Sequence, residues 1–192
     1  MRLFRLAGLA VLAAATALAA SNLSNRRAPG FSLMDVNYNQ HDLADYRGKV
    51  VLVEFIRTDC PVCQGFTTII DKVKTRFGDK VEVLTIVATP PDSQQSVMNF
   101  INTYKVRNPV LFDCGQVAAS YLRLNPQNPR VALPHFFVVD QRGTIRSNYE
   151  YGDATEAFFT GDATPLMNEI EALVNGPLAP AAKPQTGRPE RD

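Results

Sequence analysis

An α/β fold with a mixed central sheet and helices on both faces is the fold class that the sequence predicts. Two strand patterns, Val50 to Ile56 and Val81 to Thr89, are almost wholly apolar, and each precedes a segment with helical spacing of apolar residues. Strands that alternate with helices indicate a mainly parallel sheet. Two later strand patterns, His135 to Asp140 and Thr144 to Tyr151, flank the turn Gln141-Arg142-Gly143 and predict an antiparallel hairpin at one edge.

The remaining elements are shorter. Phe31 to Val36 alternates in polarity and predicts a strand, and an extended piece that ends at Leu43 completes a hairpin before the main sheet. The other predicted elements are a helix from Cys60 to Gly78, a helix that begins with the capping-box pattern of Asp92 and Gln95 and includes Tyr104, a strand over 110–112, a helix over 116–124, and a final helix capped by Thr164 that ends at Asn175.

Residues 1–20 have the pattern of a secretory signal. Arg2 and Arg5 precede an apolar run from Leu6 to Leu18, and Ala17-Leu18-Ala19 fits a small-residue cleavage site. The run is shorter than the roughly 20 apolar residues that a membrane span needs, and an uncleaved N-terminal anchor is the alternative. In either case we expect the domain to be periplasmic, or tethered to the outer face of the inner membrane, where disulfides persist.

The rest of the sequence predicts one domain with a tail at each end. Residues 21–27 are polar and predict a flexible lead, and residues 28–176 carry all the patterned elements. Residues 177–192 are rich in proline, alanine and charge, which predicts disorder. The formal net charge is +1 and no basic cluster is interleaved with aromatics, so neither nucleic acid nor an anionic membrane surface is indicated as a partner.

Cys60 and Cys63 are the leading candidates for chemistry. They flank Pro61 and Val62 where a buried strand passes into a helix, and a helix N-terminus favours a thiolate. The outer sulfur, Cys60, is expected to attack a substrate disulfide, and the inner sulfur, Cys63, to resolve the mixed disulfide. The alternatives are an inert disulfide or half of a zinc site, although no second CxxC or nearby histidine pair completes one. No cofactor is needed for this chemistry.

Glu54 is the second candidate. It lies six residues before Cys60 in an otherwise apolar strand. Burial of a carboxylate is costly, so the pKa of Glu54 is expected to rise until the group can exchange a proton near neutral pH. Such a group can act as a base beside a buried Cys63. The alternative is that Glu54 faces solvent at an edge of the sheet.

The combination of motifs resembles the thioredoxin superfamily, and more narrowly the exported TlpA/ResA-like thiol–disulfide oxidoreductases of the redoxin (AhpC/TSA) group. The matching pieces are Ala28-Pro29-Gly30-Phe31-Ser32-Leu33, Tyr46-Arg47-Gly48-Lys49, Cys60-Pro61-Val62-Cys63, and Leu133-Pro134 followed by a strand and Asp140-Gln141-Arg142-Gly143. The resemblance implies a thioredoxin-like fold, a cis-proline at Pro134 facing the sulfurs, and a buried acid at Glu54. It also implies protein disulfides as substrates and a membrane or periplasmic electron donor.

The chain departs from the family at the residues beside its two site motifs. Asp59 precedes the first cysteine where the family usually has tryptophan, and a negative charge there is expected to disfavour the thiolate and make the pair more reducing unless Arg57 offsets it. Leu133 stands where threonine is frequent and makes that surface more apolar. His135 is expected to be structural, and Cys114 a small core residue rather than a second resolving cysteine.

Two other functions compete with disulfide reduction. A peroxiredoxin uses a threonine three residues before its cysteine, whereas Thr58 lies two before Cys60. A copper-binding metallochaperone of the thioredoxin-fold type could use Cys60, Cys63 and His135, because thiolates suit Cu(I). That family separates its cysteines by three residues rather than two, which counts against it.

Overall fold

The computed structural model describes residues 23–127, 129 and 132–178. The predicted signal segment and most of the predicted disordered tail lie outside the described residues. Within the described ranges, none of the helices combines the length and the apolar character that crossing a bilayer requires.

Eight strands and five α-helices make up the described chain. The strands are β1 Arg26–Arg27, β2 Ser32–Met34, β3 Gln40–Asp42, β4 Val50–Ile56, β5 Val81–Ala88, β6 Val110–Asp113, β7 His135–Val139 and β8 Thr144–Glu150. The helices are α1 Pro61–Phe77, α2 Gln94–Tyr104, α3 Gln116–Leu122, α4 Glu156–Phe159 and α5 Thr164–Asn175, with short 3₁₀ turns at Leu43–Tyr46 and Gly78–Lys80.

The main sheet has six strands in the order β1-β8-β7-β4-β5-β6. β4, β5 and β6 run parallel, whereas β7 is antiparallel to β4 and β8 is antiparallel to β7. β2 and β3 form a separate antiparallel hairpin. The mixed sheet, the late hairpin and the N-terminal hairpin are thus confirmed. Since parallel strands end at the same edge, the carboxyl ends of β4, β5 and β6 share one edge of the sheet.

The core lies on both faces of β4, because all seven of its residues are buried. On one face Val51, Val53 and Phe55 pack with α3 and Phe137. On the other face Val50 and Leu52 pack with α1, α5 and Phe136. Alternate residues of a strand point to opposite faces, so Glu54 lies on the α1 side.

Three local expectations need correction. α2 is capped by Ser93, not Asp92, because the helix begins one residue later and Ser93 forms a reciprocal capping box with Ser96. α5 begins at Thr164, and Ala163 occupies its N-cap without a side-chain bond. Part of the expected flexible lead is ordered, since Arg26 is buried and its short strand pairs with β8.

Candidate active site

The two cysteines lie at the start of α1, where β4 delivers the chain to the carboxyl edge of the sheet. Cys60 is the N-cap of α1 and Pro61 occupies the first turn, where a missing N–H is tolerated. The backbone N–H of Cys63 donates to Sγ of Cys60 over 3.3 Å. Both cysteines are free thiols. The sequence expectation that one helical turn brings the two residues together is therefore met.

The two sulfurs have different environments. Cys60 is half-buried, whereas Cys63 is 2% exposed. Burial raises the pKa of the Cys63 thiol well above its usual range, and the hydrogen bond with Cys60 adds to the increase. Cys60 is therefore the sulfur that a partner can reach, and Cys63 needs a base before it can act as a nucleophile.

Glu54 is buried beneath α1. It is 5% exposed, and its Oε1 accepts a hydrogen bond from the Thr85 hydroxyl on the neighbouring strand. Burial raises the pKa of Glu54 to about 7, against the opposing effect of the Thr85 hydrogen bond. The charge of Glu54 also contributes to the raised pKa of Cys63. A carboxyl group with this pKa can take up and release a proton near neutral pH.

The negative charge of Asp59 is paired with Arg57. Nε of Arg57 donates to Oδ1 of Asp59 over 2.9 Å, and Nη2 donates to Oδ2 over 2.5 Å. This bidentate contact holds the pKa of Asp59 below its usual range. Both side chains are exposed, with 49% and 66% of their surfaces accessible, so solvent screens the pair. Arg57 therefore offsets the charge that was expected to disfavour the Cys60 thiolate.

The loop before Cys60 is held by two side chains from other parts of the fold. The hydroxyl of Thr58 donates to Oδ1 of the buried Asp92, which lies 34 residues away in the chain. Nε2 of Gln64 donates to the carbonyl oxygen of Thr58 over 2.9 Å. These bonds tie the loop to α1 and to the segment before α2, and so they fix where Cys60 begins the helix.

Leu133 and Pro134 face the cysteines from the β7 side. The peptide bond between them is cis, as the resemblance implied, and the carbonyl oxygen of Leu133 lies 3.8 Å from Sγ of Cys60. Leu133, Cys60 and Val36 are partly buried around the apolar cluster that contains Cys63. Leu133 thus adds an apolar side chain to the same cluster that Cys60 borders, as expected from a leucine at this position.

His135 has the contacts of a core side chain. Its ring stacks on Phe137 with 4.8 Å between centroids, on the sheet face away from α1. Nε2 lies 3.1 Å from Oδ1 of Asn148, and burial lowers the pKa of His135. Within the described residues, no group of three or more histidine, cysteine, aspartate or glutamate side chains is arranged to hold a metal ion.

Cys114 is exposed, so the expectation of a small core residue is wrong. β6 ends one residue earlier at Asp113, whose carboxylate accepts the N–H groups of Val117 and Ala118 at the start of α3. This turn places Asp113 in the interior and Cys114 at the surface.

Sequence reasoning missed Thr85 and Asp92 as neighbours of the site. Thr85 could have been found, because β4 and β5 start in register at Val50 and Val81, so the fifth residues of the two strands, Glu54 and Thr85, pair directly. A polar residue at the same position of two adjacent buried strands is the signal. The contact of Asp92 with Thr58 depends on tertiary packing and has no local pattern.

Comparison with known proteins identifies a family and relatives of this chain. The AhpC/TSA family matches residues 25–148. The thioredoxin-like protein YneN of Bacillus subtilis is 28% identical over 122 residues, which cover 63% of this chain and 68% of that protein. The thiol–disulfide oxidoreductase ResA of Bacillus thuringiensis is 28% identical over 121 residues, which cover 62% of this chain and 65% of that protein. This chain thus spans about two thirds of the length of either relative.

A solved structure of low sequence identity has the same fold. The secreted disulfide oxidoreductase of Mycobacterium tuberculosis that is homologous to E. coli DsbE superposes with a TM-score of 0.59 at 18% identity, over 74% of this chain and 96% of that one. At this identity the likeness establishes the fold alone. Together with the family match over most of the patterned chain, it shows that this protein has a thioredoxin-like fold and belongs to the AhpC/TSA family.

Proposed function

We propose that this protein is an exported thiol–disulfide oxidoreductase that reduces, or exchanges, protein disulfides through Cys60 and Cys63. One observation carries the proposal: an accessible sulfur at a helix N-terminus accepts the N–H of a buried cysteine at 3.3 Å. The similarity to ResA supports the activity. The N-terminal signal pattern supports export to the periplasm or to the outer face of the inner membrane.

The proposed reaction follows from the different accessibility of the two sulfurs, since Cys60 is accessible and Cys63 is buried. Cys60, as thiolate, attacks one sulfur of a substrate disulfide, and the other substrate sulfur leaves and takes a proton. Glu54, as carboxylate, accepts the proton of Cys63, whose sulfur then attacks Sγ of Cys60. The mixed disulfide breaks, the second substrate thiol is released, and the Cys60–Cys63 disulfide forms. Two electrons pass from the protein to the substrate.

The partners follow from the same geometry. The apolar side chain of Leu133, whose carbonyl lies beside Cys60, favours an extended, apolar segment of a protein around the substrate cysteine. Pro134 belongs to this surface because it places the Leu133 carbonyl beside Cys60. Repeated turnover as a reductant needs a membrane or periplasmic electron donor that reduces the Cys60–Cys63 disulfide. No organic cofactor or metal takes part in the proposed reaction.

The site geometry disfavours the two competing functions. A peroxidase would use the threonine hydroxyl near its cysteine, but the Thr58 hydroxyl donates to Asp92. A copper site from Cys60, Cys63 and His135 would need the histidine on the α1 side, whereas it stacks on Phe137 on the other face.

Trapping of the mixed disulfide tests the proposal. Cys63→Ser removes the resolving sulfur, so Cys60 is expected to stay covalently bound to substrate proteins or to oxidised insulin, as a band that dithiothreitol removes. The control is Cys114→Ser, which keeps both reacting sulfurs and should accumulate no adduct. Absence of any adduct with Cys63→Ser, or the same adduct with Cys60→Ser/Cys63→Ser, would refute the proposed role of Cys60.

A further inference from the structure

A chain of three buried polar side chains runs from Glu54 across the sheet. The Thr85 hydroxyl donates to Oε1 of Glu54, and Nδ2 of Asn108 donates to the same hydroxyl oxygen over 2.7 Å. Thr85 is 1% exposed and Asn108 is 8% exposed. Thr85 also pairs in register with Glu54 on one side and with Val110 on the other. The three side chains therefore connect β4, β5 and the residue pair that precedes β6.

The direction of these hydrogen bonds is fixed by Pro109. Nδ2 of Asn108 lies 3.3 Å from the carbonyl oxygen of Pro109 as well as 2.7 Å from Oγ1 of Thr85. A carbonyl oxygen can only accept, so the atom of the Asn108 amide that faces the Pro109 carbonyl and Thr85 must be the nitrogen and not the oxygen. The Thr85 oxygen thus receives a hydrogen from Asn108, and its own single hydrogen is left for Glu54.

We propose that Thr85 and Asn108 are positioning residues that hold the Glu54 carboxylate ready to accept the proton of Cys63, an inference that rests on the proposed function. The donated hydrogen occupies Oε1 and stabilises the charged form of Glu54 in a site where burial disfavours charge. The second oxygen, Oε2, then exchanges the proton. Cys63 loses its proton to Oε2 and attacks Sγ of Cys60, and the departing thiolate leaves as the Cys60–Cys63 bond forms.

The resolving step can be measured alone with Ellman's reagent. All proteins in this assay carry Cys114→Ser, so that the exposed third thiol does not react with the reagent. The reduced protein then reacts in two phases: Cys60 releases one coloured thiolate, and Cys63 releases the second by attacking the mixed disulfide. When the rate of the second phase is plotted against pH, its midpoint gives the pKa of the base that accepts the proton of Cys63. Thr85→Val keeps the side-chain shape and removes the donor, Thr85→Ser restores the hydroxyl, and Thr68→Val removes an exposed hydroxyl that bonds only within α1.

The pH midpoint of the second phase should rise by about one to two pH units in Thr85→Val, because a hydrogen bond to a charged group is worth about tenfold or more in equilibrium. At pH 7 the second phase should slow by about tenfold. Asn108→Leu should shift the midpoint in the same direction by less, because the Thr85 hydroxyl remains but is free to turn. Thr85→Ser and Thr68→Val should both keep the midpoint of the unchanged protein.

A titration of Glu54 by carboxyl infrared or NMR signals gives a second readout that does not depend on activity. It should show the same upward shift in Thr85→Val. An unchanged midpoint in Thr85→Val, with a second phase still present, would overturn the role of Thr85 and leave the proposed function standing. If the unchanged protein gives no second phase at all, the proposed function itself fails. A shift of equal size in Thr68→Val would also overturn the inference, because it would not be specific to these residues.

Discussion

Cys60→Ser should reduce dithiothreitol-coupled insulin reduction to the rate of dithiothreitol alone. Cys60 is the accessible sulfur and the N-cap of α1, and serine at that position cannot form the mixed disulfide. Serine is itself a favourable N-cap residue, so the helix start should be preserved. A turbidity assay of insulin measures the loss, and circular dichroism checks the fold.

Cys114→Ser is the matched control for this loss. It removes the third thiol of the chain, which is exposed and lies after β6, outside the Cys60–Cys63 pair. It should retain the activity of the unchanged protein. If Cys60→Ser stays active while Cys114→Ser does not, the assignment of the reacting sulfur is wrong.

Glu54 should make the folded protein less stable as the pH rises. Burial raises the pKa of Glu54 from 4.5 to about 7 in the folded chain, so between these values the folded state binds more protons than the unfolded one. The free energy of unfolding therefore falls across this window and levels off above about pH 7. The difference between the two pKa values corresponds to about 3 kcal/mol.

Glu54→Gln should remove this dependence. Glutamine keeps an oxygen that can accept from Thr85, and it carries no charge to bury. At pH 4 the glutamate is mostly protonated in both states, so the two proteins should have nearly equal free energies of unfolding. At pH 8 the variant should be more stable by about 3 kcal/mol, as measured by urea denaturation of the reduced proteins. Equal stabilities at pH 8 would mean that the carboxylate is solvated.

The fold was largely predictable because its signals are local and redundant. The apolar runs of β4 and β5 and the helical spacing after each of them define the parallel part of the sheet, and the turn at Gly143 defines the late hairpin. Errors arose where the competing choices differ by one residue. Asp92 and Ser93 are both good caps; in the fold Asp92 bonds to Thr58, whereas Ser93 caps the helix.

The site residues that have a reactive or titratable side chain at a telling position in the sequence were predictable. The residues that reach the site through contacts between different strands and helices were not. Cys60, Cys63 and Glu54 stand out within one strand and one helix turn. The neutralisation of Asp59 by Arg57 depends on side-chain geometry, and Asn108 reaches Glu54 only through Thr85. Cys114 was misjudged because a cysteine after an apolar strand gives no sign of which way the chain turns.

The reduction potential of the Cys60–Cys63 pair tests the central claim most directly. It can be measured by the mass shift of thiol-trapped protein across a dithiothreitol or glutathione series. Cys63 is buried and its thiolate is disfavoured, so the disulfide should be favoured over the reduced pair. We therefore expect a reduction potential of about −270 mV, the value of a reductant. A potential near about −120 mV would indicate an oxidant, and the absence of a reversible disulfide would contradict the account altogether.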